Sequence, residues 1–489
     1  MPPDRRAYVT SGRVVVWTLG VAAFVALAAI PSGLHRIRGM GHRPAFAAAV
    51  ATLMAIWWLT EALPIAITAC VPIVLFPVFG VFGGGVWHGL VRALEPFADA
   101  YIFLFLGGMA IGAAMEETNL HRRVALGIMR AVGTDPSRLL LGMLLATAAV
   151  SMWISNTATA VMMTPIAMAL IGQLEDTNER KLPNFGCAVM LSVAYGSNVG
   201  GIGTKIGTGT NSIFCGFIAD HMNRDVGFVE YLAIGAPFVV IFLPIVFAVL
   251  WRVARRDQFD AKSGRELIAR ELSAMGPMRP AERRVAWIFG VAAALWIFGD
   301  PMRAWISPHV PRLWSGFRFQ PKHYEAAVAM LAACALLATR ALTRRGVARI
   351  PWHTLLLLGG SFAMAAGIES SGLSRWLALQ LVAIRSLPTT VQIGVAASAT
   401  VGLSAIASNT ATVNVMLNVL PRSLPLMGAT SIAASCDFAL PAGTPPNAIV
   451  FGSGYVKLPT MIKTGVVLDV AAVVVVTLYA AGYLPLVFR

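Results

Sequence analysis

Charged residues are scarce in this 489-residue chain. Asp, Glu, Lys and Arg make up 12% of it, against roughly 25% in an ordinary soluble domain. That shortage excludes a conventional water-soluble globule. Cysteine is also sparse: the five cysteines are scattered, mostly inside apolar stretches, and none forms a Cys-x-x-Cys pair. Neither a disulfide framework nor a zinc site is indicated. His121, His309 and His323 do not cluster at metal-ligand spacing. An enzyme working inside a membrane would need a nucleophile–base pair or a metal cluster at depth, and neither constellation is visible.

What is abundant is apolar sequence, 57% of the chain. Runs long enough to span a bilayer recur at roughly 14–31, 45–60, 63–82, 98–115, 231–251, 285–299, 324–339, 352–368 and 464–488. This pattern predicts an all-α polytopic membrane protein. The first run lacks a clear small-residue cleavage site and reads as a helix rather than a signal peptide. The net charge of +15 gathers at segment ends, chiefly in residues 252–284 and in "TRALTRRGVARI". Positive-inside bias places both loops in the cytoplasm and leaves no separate basic surface for a nucleic acid. Basic residues near Arg36 to Arg43 and at Arg303, Arg312 and Arg318 fall on the other side, so the bias is imperfect. Trp57, Trp58, Trp287 and Trp352 read as interfacial anchors. Glu61 and Asp99 lie near predicted helix ends, in solvated or capping positions.

One polar word is written twice. Ser-Asn-Thr-Ala-Thr begins at Ser155 and again at Ser408, each time with another serine four residues earlier, Ser151 and Ser404. The loop at 252–284 divides the chain into halves, 1–251 and 285–489, that repeat one order of events. Spanning helices come first, then a short amphipathic stretch, "ETNLHRRVALGIMRAVG" or "ESSGLSRWLALQLVAIRS". An apolar segment interrupted by the Ser-Asn-Thr word follows. Last comes a helix broken by glycine or proline, at about 185–222 in the first half and about 430–457 in the second.

At 1.5 Å per residue, two arms of about 15 residues reach only part-way across a core of about 30 Å. The segments at about 139–171 and 391–427 therefore read as re-entrant helical hairpins with the Ser-Asn-Thr words at their tips. An odd number of spans in the first half inverts the second, so the two hairpins enter from opposite sides and their tips meet near the midplane. Broken helices in corresponding positions of two halves point to a transporter binding site. Asparagine and serine oxygens, with carbonyls freed at a break, suit a hard cation such as Na⁺. Hydroxyls, amides and helix N-terminal N–H groups suit carboxylate oxygens. An anion channel is a different reading of the same segments, although few charges and two inward hairpins fit alternating access better.

These features resemble the divalent-anion/sodium symporter family, carriers of dicarboxylates, citrate or sulfate. The resemblance covers nearly the whole chain. It rests on the paired Ser-Asn-Thr words, "WWLTEALPIAITACVPIVLFP" from Trp57, "YGSNVGGIGTKIGTGTNSI" from Tyr195 and "LPAGTPPNAIVFGSGY" from Leu440. It implies a homodimer with a scaffold domain and a mobile transport domain working as an elevator. Carried over by motif position, one Na⁺ would meet Ser151, Ser155, Asn156 and the Gly207 backbone. A second would meet Ser404, the Ala407 backbone, Asn409 and the Gly443 backbone. Substrate carboxylates would meet Asn156, Thr157, Thr208, Asn409, Thr410 and Thr444. Serine at 404 and glycine at 443 replace threonine and alanine of some relatives without losing a ligand oxygen. "GTGTN" replaces a proline-containing version, which loosens the first break.

Two residues depart from the pattern. Lys205 lies inside the first break and Asp437 just before the second, and ionisable groups at such depth are candidates for function. If they pair with one another, the site gains no net charge and a dianion still needs Na⁺. If Lys205 points at the anion, it replaces a cation and allows Na⁺-independent exchange. The expected activity is Na⁺-coupled carriage of a small dianion, first of all a C4-dicarboxylate such as succinate, in a bacterial inner membrane. No basic side chain stands in either tip, so the co-bound cation would supply the compensating charge.

Overall fold

The computed structural model describes residues 4–29, 41–60, 62–133, 135–260, 262–306, 320–380, 386–441 and 443–488. Glu61, His309, Arg312 and Arg318 lie outside the described residues. Among those described, every regular element is a helix and no strand occurs. Five helical stretches are long and apolar enough to cross a membrane: Arg43–Thr60, Gly85–Thr118, Asn156–Thr177, Phe228–Ala254 and Leu458–Val487. Further helices at Pro280–Ile297, Pro321–Ala338 and Trp352–Ser370 fall on the other apolar runs.

Their outward faces are themselves apolar. Val240, Trp287, Leu331 and Leu478 are all at least 65% exposed, the reverse of a soluble protein and the arrangement hydrocarbon solvent demands. The run at 63–82 does not form one helix. It splits into Ile65–Ala69 and Val71–Val78 at Cys70, with Pro72 at the second start and Pro77 within, because proline cannot donate to the helical ladder. Phe228–Ala254 tolerates Pro237 and Pro244. The carbonyl that Pro237 leaves without its helical donor, that of Ala233, accepts from the Tyr483 hydroxyl at 3.2 Å.

Each half contains a helical hairpin followed by an interrupted helix. The first hairpin is Pro136–Ser151 and Asn156–Thr177, the second Thr389–Ser404 and Asn409–Val419. The arms are less even than expected. Asn156–Thr177 has 22 residues, about 33 Å of helix, and its last turn carries Glu175 and continues to Asn178, which bonds to Asp260 of the basic segment. The second hairpin ends at Val419 rather than near 427, because Pro421 and a short linker precede the next helix at Leu424. The amphipathic stretches form helices Leu120–Val132 and Leu373–Gln380. Each starts after a residue in the left-handed region, Asn119 (φ 62°) or Gly372 (φ 78°). Asparagine and glycine are the residues that enter that region at least cost.

Two expectations change and one holds. The basic segment 252–284 is not simply a loop: it holds the helix Lys262–Ala274. That helix lies across the base of the first hairpin, with Ile268 buried and Glu271 paired to Arg122. Just beyond it, Glu282 pairs with Arg123 at 3.1 Å. Trp57 and Trp58 are core residues, 8% and 0% exposed, and Trp58 donates to the Ile65 carbonyl at 3.2 Å. Trp287 and Trp352 do stand exposed. Asp99 caps the helix Ala100–Thr118 by accepting from Tyr101 N at 2.8 Å and also pairs with Lys322 at 3.0 Å.

Candidate transport site

The tip sequence is locally determined. Serine favours the N-cap because its oxygen accepts one of the unpaired N–H groups at a helix start. Ser155 accepts from Ala158 N at 3.4 Å, and Ser408 accepts from Ala411 N at 3.3 Å. The hairpin therefore turns at the Ser-Asn-Thr word in both halves, and Asn156 and Asn409 become the first residues of the distal arms.

The preceding serines close the turn. Ser151 Oγ lies 2.7 Å from the Ser197 carbonyl and 3.0 Å from Asn156 Oδ1. Ser404 Oγ lies 2.7 Å from the Ala434 carbonyl and 3.0 Å from Asn409 Oδ1. Each cluster holds three oxygens and a single hydroxyl proton, since a carbonyl and an amide oxygen only accept. One proton cannot serve both neighbours at once. An excess of buried acceptor oxygens is the composition that hard cations prefer.

The broken helices bring further backbone to these clusters. The first is Pro183–Gly201 and Gly209–Met222, the second Leu424–Ala433 and Pro445–Gly452. A Cβ on Gly207 would meet the Gly201 and Met152 carbonyls, and one on Gly443 would meet Asp437 Oδ2 and the Ala405 carbonyl. Only glycine permits that approach to the hairpin turns. Thr208 and Thr444 occupy the N-cap positions of the distal pieces with nearly the same backbone, φ −144° and −146°. Neither uses its hydroxyl as a cap, which leaves that hydroxyl and the helix start for an anion. Thr410 packs on Gly209, so the second tip touches the start of the first distal piece. Thr157 is exposed at the first tip, and Ala407 is buried in the second turn.

Two asparagines that the sequence reading overlooked stitch the breaks. Asn211 Nδ2 donates to the Gly201 and Thr204 carbonyls at 2.8 and 2.7 Å. Asn447 Nδ2 donates to the Asp437 and Leu440 carbonyls at 3.1 and 3.0 Å. The signal was present as Thr-x-x-Asn, at Thr208 and again at Thr444. Thr210 meets Ser435 at 3.2 Å and Asn198 meets Asn447 at 3.5 Å, so the two broken helices contact one another through polar groups at their interruptions.

Lys205 and Asp437 are not partners. Lys205 is fully buried and points away from the tips, donating to Glu325 Oε2 at 2.6 Å and to the Val226 carbonyl at 2.5 Å. Its ammonium also lies 4.7 Å from the Tyr101 ring centroid. Glu325 accepts in turn from Phe228 N at 2.5 Å. A lone glutamate in an apolar run carries the same signal that singled out Lys205. Packing makes Glu325 the counterion, and Asp437 remains beside the second tip.

A cleft of about 40 Å³, room for about one water, reaches Ser155 past Ile154, Glu116 and Arg349. A cavity of about 360 Å³ at the base of the first hairpin is lined by Arg122, Met162 and Glu271 and shares Glu116 and Arg349 with it. Both lie on the side of the basic segments.

The sodium:sulfate symporter transmembrane region matches residues 13–488. The chain belongs to the divalent-anion/sodium symporter family. Its members include the sodium-dependent dicarboxylate transporter SdcS of Staphylococcus saprophyticus, 33% identical over 97% of this chain and 92% of that protein. SdcS of Staphylococcus aureus is 32% identical over 90% of this chain and 86% of its own length. The fold is also that of the Alcanivorax borkumensis YdaH transporter, with a TM-score of 0.54 and 13% identity over 89% of this chain and 98% of that one. Membership in the symporter family makes this chain an integral membrane transporter and not an enzyme.

Proposed function

We propose that this symporter-family member couples Na⁺ to the movement of a small dianion, a C4-dicarboxylate such as succinate. The observation that carries the reading is the duplicated oxygen cluster, Ser151–Asn156–Ser197 and Ser404–Asn409–Ala434, with matching distances in both halves. One Na⁺ sits at each cluster, completed by Ser155 and the Gly207 backbone in the first and by the Ala407 and Gly443 backbones in the second. Asn156, Thr157, Thr208, Asn409, Thr410 and Thr444 hold the carboxylates. A dianion held by neutral donors needs compensating cations, and Lys205 is already engaged by Glu325. That pairing argues against Na⁺-independent exchange through Lys205. Its similarity to sodium-dependent dicarboxylate transporters supports both the cation and the dicarboxylate.

In this reading the hairpins, the broken helices and the helices Phe228–Ala254 and Leu458–Gly482 form the moving body. The remaining helices form a dimeric scaffold in a bacterial inner membrane, and the body slides as an elevator. The cavity and cleft beside Arg349 are the route between the first tip and the cytoplasm. Counterflow into proteoliposomes with succinate, malate, citrate and sulfate, each with and without Na⁺, tests the reading. Saturable Na⁺-dependent succinate uptake is expected; linear conductance would mean a channel, and preference for sulfate or citrate would reassign the substrate.

A further inference from the structure

The two breaks differ at one position that matters for charge. Setting Thr208 against Thr444 and Asn211 against Asn447 places Gly201 opposite Asp437. The bonds agree: Asn211 donates to the Gly201 carbonyl and Asn447 to the Asp437 carbonyl. In the first half no side chain fits there, because a Cβ on Gly201 would fall on Asn156 Oδ1. In the second half a carboxylate occupies the place. Asp437 is 1% exposed, and among the described residues neither of its oxygens is held by a hydrogen bond of ordinary geometry. Oδ2 lies beside Gly443, where the Ala405 carbonyl also converges, and the Asn409 side chain neighbours the carboxylate.

Among the described residues, the charge around Asp437 offers it no counterion. Its ionic neighbour is another carboxylate, Asp469. Asp469 is occupied in holding the break, accepting from Phe438 N at 2.8 Å. The first half lacks this residue too. Gly235 and Gly465 each pack on a break, against Ile202 and Gly203 or against Phe438 and Ala439. That correspondence sets Asp469 opposite Val239. A buried carboxylate with the Asn409 amide beside it and no counterion among the described residues is strongly unfavourable, and a bound cation supplies the missing partner.

We infer that Asp437 is a carboxylate ligand of the second cation site, so that the carrier has one site of neutral oxygens and one with a fixed negative charge. The inference deepens the Na⁺-carrier reading and rests on it. The charged site binds Na⁺ before substrate arrives. The neutral site depends on the dianion to hold its cation.

The test uses the full-length protein, wild type and Asp437→Asn, with NaCl titrated against choline chloride. Two quantities are read: thermal unfolding without substrate, and the Na⁺ dependence of succinate uptake in proteoliposomes. In D437N the half-saturating Na⁺ concentration is expected to rise about tenfold or more. The Na⁺-induced rise in Tm should shrink by at least half, while the Na⁺-free Tm rises because an unpartnered buried charge has gone. An unchanged Na⁺ titration, or a lower Na⁺-free Tm with an intact Na⁺ response, would overturn the assignment. Should D437N yield no folded protein, Asp437→Ser is read in the same assays; a chain that folds in Na⁺-free medium only with a carboxylate at 437 makes the residue structural and also overturns it. Absence of any Na⁺ effect on the wild type would instead overturn the Na⁺-carrier reading beneath it.

Discussion

Ser151 and Ser404 each lie 2.7 Å from a carbonyl of the neighbouring broken helix and 3.0 Å from the amide oxygen of a tip asparagine. The breaks beside these two serines have nevertheless diverged. The first contains a lysine, but Glu325 neutralises it on the far side of the helix. The second contains Asp437, for which the described residues supply no counterion. Repetition has preserved the oxygen frame to which we assign a cation. Divergence has altered the charge behind it, and charge rather than geometry then distinguishes the two sites.

The largest effect should come from the tips. Asn156→Ala and Asn409→Ala each remove an oxygen from a cluster and a donor from the substrate, and each is expected to abolish Na⁺-driven uptake with the folded protein retained. Size-exclusion chromatography and uptake on the same preparations check this, and wild-type uptake in either variant would break the equivalence of the tips. Next in size is the ion pair. Lys205→Ala leaves Glu325 buried without its cation and should cost about 3–5 kcal/mol of stability, read as a lowered unfolding midpoint. Neither this variant nor the wild type should exchange dicarboxylate in choline medium. Robust Na⁺-free exchange lost in Lys205→Ala would restore the lysine as a built-in cation.

Smaller effects separate anion from cation. Thr157→Ala and Thr444→Ala each delete one hydroxyl, worth about 1 kcal/mol or roughly fivefold. They should raise the succinate concentration for half-maximal uptake while leaving the Na⁺ titration in place. Equal losses in both titrations would erase the division. The smallest contrast lies between Ser151→Ala and Ser404→Ala. With Asp437 still in the second site, Ser404→Ala should raise the half-saturating Na⁺ concentration less than Ser151→Ala does, by about two- to threefold in the ratio. Identical responses would mean that the charge asymmetry has no bearing on binding.

Some of this architecture was legible because it is local. The hairpin turns follow from serine oxygens accepting N–H groups three residues on, and the breaks follow from glycine and proline. Other features were legible only in part. The basic segment was recognisable by charge, yet its helix Lys262–Ala274 takes its place from Arg122 and the apolar contact of Ile268. Trp57 and Trp58 carry the composition of interfacial anchors and are buried instead, since a tryptophan's location depends on what packs over it. The asparagines at 211 and 447 were visible as a repeated spacing, but their donation across the breaks becomes apparent only when the carbonyls they serve are placed.

The sequence by itself determined that the chain is a membrane protein of two like halves, each with a polar tip and an interrupted helix. Those properties depend on composition and on hydrogen bonds between near neighbours. The tertiary structure decided which distant groups meet. Lys205 finds Glu325 across 120 positions of chain, Ser404 finds the Ala434 carbonyl, and Asp437 finds no counterion among the described residues. A charge's energy is set by what surrounds it within a few ångströms, and in a folded chain those surroundings are supplied by packing, not by adjacency along the backbone.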